Sequence, residues 1–74
     1  MEILLGTKIK KLRINKKIKQ IELAKAAGIS NSFLSDIENG RTMPSLKTLY
    51  KLADALDVSI TVFLEDDSSY EFVQ

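Results

Sequence analysis

Residues 20–39 read QIELAKAAGISNSFLSDIEN, and no other stretch of the chain limits the fold so tightly. Apolar side chains fall at Leu23, Ala27, Ile29, Leu34 and Ile37, with a small Ala24 and a Gly28 set between them. This is the pattern of two short helices joined by a turn of about three residues. At a crossing of roughly 90–120° such helices come so close that a bulky side chain at Ala24 would collide with the second one. Gly28 can take the positive φ that ends the first helix. Ser30 is then placed to cap the next, its hydroxyl accepting from an orphan backbone N–H.

The flanking sequence continues the helical pattern. A first helix is expected from Gly6 or Thr7 to Asn15, with Ile9 and Leu12 inward and Lys8, Lys10, Lys11 and Lys16 outward. The second and third helices cover about 20–27 and 31–38, and Gly40 supplies a left-handed stop. Pro44 forbids helix in the connection that follows. Ser45 starts a fourth helix, in which Leu46, Leu49, Leu52, Ala53 and Leu56 recur at three- and four-residue steps and so share a face. Ser59 caps a short fifth helix that runs to about Leu64. Residues 1–5 either extend the first helix, against the weakening effect of Gly6, or pair as a strand with residues 70–74, whose aromatic and β-branched content suits a terminal two-stranded ribbon. The ordinary alternative is frayed ends.

Seventy-four residues allow one domain, near the lower limit for folding without staples. Cysteine and histidine are both absent, which removes disulfides and any ordinary zinc set and leaves a helical core to supply stability. Apolar runs such as residues 3–5 are far shorter than the ~20 residues that span a bilayer. No basic segment precedes an apolar one at the N-terminus, so a cytoplasmic location is expected. The net charge of +1 conceals a strong asymmetry: residues 1–19 carry +6, residues 20–64 carry −1 and residues 65–74 carry −4. A basic body with an acidic tail suits a protein with one phosphate-facing side. Solvated lysine faces are the plainer explanation, and would be preferred without the two-helix motif.

On the segment 20–39, with GTKIKKLR at 6–13, IENG at 37–40 and PSLKTLYKLADALDVS at 44–59, the chain resembles the XRE, or lambda-repressor-like, helix-turn-helix family, and within it the small bacterial regulators of the SinR kind. The resemblance covers about residues 6–64. It implies an all-α, compact five-helix DNA-binding domain over 6–64, followed by an acidic tail at 65–74. It also implies a sequence-specific transcriptional regulator, a repressor that binds a pseudo-palindromic operator in double-stranded DNA as a homodimer, with no cofactor. The chain departs from the family at Lys17, where Gly is common and a left-handed cap costs Lys more. It departs again at Lys19, which cannot cap a helix as the usual Ser does.

DNA recognition needs base contacts that read sequence and phosphate contacts that fix register. In the helix-turn-helix geometry the second helix lies in the major groove, so its outward residues Asn31, Ser32, Phe33 and Asp36 are the readout candidates. Asn31 can pair bidentately with adenine, Ser32 can bond several base edges and Phe33 can meet a thymine methyl. Asp36 can accept from cytosine, or serve a structural or counter-selective role, since phosphates repel it. Phosphate contacts are expected from Lys19 and Gln20 at the start of the second helix, and from Asn39, Gly40, Arg41 and Thr42 after the third. The resemblance further implies that Gln20 braces Asn31 and that Arg13 and Glu38 form a partly buried ion pair. In the family pattern Val58, Phe63 and Leu64 close the core, which leaves Ile60 and Val62 as candidates for a dimer interface.

Catalysis is a poor reading. The chain has no histidine or cysteine to act as base or nucleophile, and no glycine-rich phosphate loop or carboxylate pair among apolar residues. The stronger rival is a protein-interaction module of the same fold, binding a protein partner through its C-terminal region. Basic and amide residues at positions 19, 20 and 41 favour DNA over that rival.

Overall fold

The computed structural model describes residues 2–64, with side chains from Leu5 onward. Among them are five helices: α1 (Glu2–Asn15), α2 (Gln20–Ala27), α3 (Asn31–Glu38), α4 (Leu46–Leu56) and α5 (Thr61–Leu64). α2 packs on α3 and α4, while α1 lies across α3 and touches α5. One core fills the space between them. Ile9, Leu34 and Leu52 are wholly shielded from solvent at its centre, with Leu5, Leu23, Ala24, Ala27, Ile37, Leu49, Ala53, Leu56 and Phe63 around them.

Four of the five helices end in the same way. At each C-terminus one residue turns into the left-handed region, and two backbone N–H groups fold back onto carbonyls of the last turn, which is the Schellman arrangement. Gly28 (φ 71°) and Gly40 (φ 74°) occupy that position after α2 and α3, as the sequence pattern predicts. After α1 and α4 the same position is held by Lys17 (φ 60°) and Asp57 (φ 59°). Behind Lys17 the N–H of Ile18 donates to the Arg13 carbonyl at 3.0 Å, and behind Asp57 the N–H of Val58 donates to that of Ala53 at 3.0 Å. The departure from glycine at Lys17 therefore leaves the shape of the first turn intact and places the cost in the backbone of a β-carbon-bearing residue.

The starts are also locally encoded. Ser30 and Ser45 accept from the N–H groups of Phe33 and Thr48 at 3.0 and 3.2 Å. Ser59 accepts from Thr61 N–H at 3.3 Å. Lys19 has no side-chain acceptor to offer α2, so Glu22 supplies half of a capping box alone, its carboxylate accepting from Lys19 N–H at 2.8 Å.

The N-terminus differs from the sequence expectation. Helix α1 begins at Glu2 and passes through Gly6 without a break, so residues 2–5 form no ribbon strand. Residues 70–74, the other half of that ribbon, lie outside the described residues. Gly6 is a contact point: a β-carbon there would stand 2.3 Å from the Ile37 carbonyl oxygen and 2.7 Å from that of Glu38. α1 and α3 thus cross backbone to backbone, and Leu5, just before the crossing, enters the core. The packed unit consequently reaches N-terminal to residue 6.

Two leucines expected inside are outside. Leu46, the first residue of α4, is exposed and not on the buried face with Leu49, Leu52, Ala53 and Leu56. Leu64 is 58% exposed, and the core is closed instead by Phe63, with Val58, Ile60 and Val62 packed partly against it. Leu46 is the first residue of α4 and Leu64 the last of α5.

Candidate nucleic-acid interface

The turn 28–30 brings α3 out from α2 with Leu34 and Ile37 buried. Asn31 and Ser32 are exposed, and Ser35 and Asp36 half-exposed. Residues 31 and 35, and 32 and 36, stand one turn apart, so these four form the outward face. Phe33 is only partly outward, because its ring also packs on the core. Ser35 is absent from the sequence-derived candidates although it lies on this face. Its hydroxyl is 3.3 Å from the Asn39 side-chain nitrogen, which donates to it. The Asn39 amide is therefore turned back onto α3 in the free chain.

Behind the face lies a carboxylate hub. The Glu38 side chain is 1% exposed and that of Arg13 11%. Arg13 Nε donates to Glu38 Oε2 at 2.7 Å and Nη2 to Oε1 at 3.1 Å, a two-point grip of α1 on α3. The remaining Arg13 nitrogen, Nη1, donates to the Ile18 carbonyl at 3.0 Å and ties in the turn after α1. Gln20 completes the hub, its Nε2 donating to Glu38 Oε1 at 3.0 Å. Gln20 therefore braces Glu38, a contact the resemblance does not imply. With its carboxylate accepting three bonds, Glu38 leaves no orphaned buried polar atom, and none is found among the described side chains. The spacing of Arg13, Gln20 and Glu38 identifies the participants, but the partner of Gln20 depends on how α2 is seated against the end of α3.

Of the other phosphate candidates, Lys19 and Arg41 are exposed and Gly40 and Thr42 half-buried. Arg41 reaches back toward α3, its Nη1 3.5 Å from Asp36 Oδ1. Lys10, Lys11 and Lys16 of α1 and its following turn are also exposed. Ile60 and Val62 are half-buried, so the larger apolar surface at α5 belongs to Leu64. No described helix is long and apolar enough to cross a membrane. Among the described residues no group of three or more His, Cys, Asp or Glu is arranged to hold a metal ion.

Two short helices joined by a tight glycine turn, the second with its polar face outward, make up the helix-turn-helix arrangement. The chain belongs to that family: the helix-turn-helix family model matches residues 9–63. It is similar to the ImmF control region 10 kDa protein of Bacillus phage phi105, at 50% identity over 58 residues, which make up 78% of this chain and 64% of that protein. SinR of Bacillus subtilis, an HTH-type transcriptional regulator, is 39% identical over 70 residues, 93% of this chain and 63% of SinR. The chain thus spans less than two thirds of either relative. The crystal structure of SinR in complex with DNA, the master regulator for biofilm formation, matches with a TM-score of 0.76 and 42% identity, covering 82% of this chain and 98% of that one. The restriction-modification controller protein C.AhdI of Aeromonas hydrophila matches with a TM-score of 0.82 and 31% identity, covering 84% and 94%.

Proposed function

We propose that the chain is a sequence-specific DNA-binding unit of a transcriptional repressor, with α3 in the major groove and no catalytic role. The observation that carries this reading is the outward face of α3, where Asn31 and Ser32 stand exposed on a helix whose position is set by the Glu38 hub. The likeness to a regulator solved on DNA supports it. In this reading Asn31 and Ser32 read base edges, with Phe33 offering its exposed edge to a thymine methyl. Lys19, Gln20, Asn39, Gly40, Arg41 and Thr42 meet the phosphates. The protein works in the cytoplasm, where its operator lies. The acidic stretch 65–74, with four acids and no base, is given no part in DNA binding in this proposal.

Selection of bound sites from random duplexes tests the proposal and reveals the symmetry of the operator. Asn31→Ala should weaken binding chiefly at the selected site, by ~1–3 kcal/mol, whereas Arg41→Ala should weaken all duplexes alike and lower the salt slope by about one. An Asn31→Ala variant with unchanged site preference would remove α3 from the groove. A homodimer is proposed through the α5 surface of Ile60 and Val62, extended by the exposed Leu64. Leu64→Glu is the cleaner probe, since Val62 also packs on the core. Sedimentation equilibrium showing an undiminished Leu64→Glu dimer would place the interface elsewhere.

A further inference from the structure

We propose that Asp36 is a positioning residue for Arg41, holding its guanidinium beside the end of α3 where it meets a DNA backbone phosphate, and that Asp36 does not itself read a base. The proposal rests on the DNA-binding reading above. α3 ends in a Schellman turn in which Gly40 N–H donates to the Ile37 carbonyl at 3.1 Å and Arg41 N–H to the Asp36 carbonyl at 2.8 Å. That turn sets residue 41 beside residue 36 whatever their side chains are. The side chains then use the proximity, with Arg41 Nη1 3.5 Å from Asp36 Oδ1.

The pair is exposed, at 71% for the Arg41 side chain and 46% for Asp36. An exposed ion pair adds little to folding, so stability is a weak reason for it. Its geometry suits another purpose. With its side chain still 71% exposed beside Asp36, Arg41 keeps guanidinium N–H groups open to a phosphate. A long side chain restrained in this way has less rotamer freedom to lose on binding. The pairing also accounts for an acid on the face of α3 that approaches a polyanion: beside Arg41, its repulsion of the phosphates is offset. A carboxylate turned toward Arg41 is poorly placed to accept from a cytosine amino group.

A double-mutant cycle on the full chain tests the proposal, using Asp36→Asn, Arg41→Gln and the double variant on the selected duplex and a generic one across a range of salt. Asp36→Asn should weaken binding roughly 3- to 10-fold more when Arg41 is present than in the Arg41→Gln background, and equally on both duplexes. Asp36→Glu should recover part of the loss. In the free protein, Asp36→Asn should raise the fast mobility of the Arg41 Nε–H measured by nitrogen-15 relaxation. Unchanged mobility, an absent coupling, or a coupling of opposite sign in which Asp36→Asn strengthens binding through Arg41 would each overturn the positioning role. A changed preference at one base pair would make Asp36 a reader. A wild-type chain that binds no duplex at low salt overturns the DNA-binding reading itself, and the phosphate role of Arg41 with it.

Discussion

Gly6→Ala sets two effects of opposite sign against each other. Gly6 lies inside α1, where alanine is the better helix former by about 1 kcal/mol, so propensity alone makes the variant more stable. The tertiary contact argues the other way. The new methyl would sit 2.3 Å from the Ile37 carbonyl oxygen and 2.7 Å from the Glu38 carbonyl oxygen, where ordinary contact begins at 3.4 Å. Both obstacles are backbone atoms of α3, which no rotamer change can move aside. α1 must therefore retreat by roughly 1 Å, a gap that on its own forfeits a quarter to a half of the dispersion attraction along the crossing. The same retreat strains the 2.7 Å Arg13–Glu38 bond, which joins the same two helices. Overpacking of this kind costs ~1–3 kcal/mol or more, and the strained ion pair adds to it. After the propensity gain is subtracted from the overpacking cost, a loss of up to about 2 kcal/mol remains, to which the strained ion pair adds, so the variant is expected to be the less stable. Urea unfolding followed by circular dichroism at 222 nm measures it as a lowered midpoint at unchanged slope. A Gly6→Ala variant as stable as the wild type, or more so, would refute the close crossing of α1 and α3.

Arg13→Ala leaves the Glu38 carboxylate buried with only Gln20 to bond it and should cost ~3–5 kcal/mol in the same unfolding assay, enough to threaten folding of a domain this small. Lys17→Gly should stabilise by about 0.5–1 kcal/mol, the relief of left-handed strain less the added entropy of the unfolded chain. Asp57→Gly should gain less, because aspartate enters that region more readily than lysine; the reverse order in thermal unfolding would count against the strain argument. Ser30→Ala, which removes the acceptor for Phe33 N–H, should cost ~1 kcal/mol and increase hydrogen exchange in the first turn of α3.

What the sequence determined by itself is the part of the structure that a few neighbouring residues settle. The stop at Gly28, the serine caps, the Gly40 turn and the buried positions of α3 each depend on φ preferences, capping oxygens or helical period acting over less than ten residues. The setting of Arg41 beside Asp36 belongs to the same local class, since a Schellman turn joins residues five apart. The tertiary structure alone decided the rest. Gly6 is a poor helix residue in isolation and a necessary one only because α3 crosses over it. The amide of Gln20 has a choice of acceptors that is resolved when packing brings Glu38 within 3.0 Å. Leu46 and Leu64 are as apolar as their neighbours, and what leaves them exposed is that no other described helix covers them. Local pattern states what each residue prefers, whereas exposure and pairing depend on which distant surface arrives, and that is fixed only when the core between α1, α3 and α4 closes.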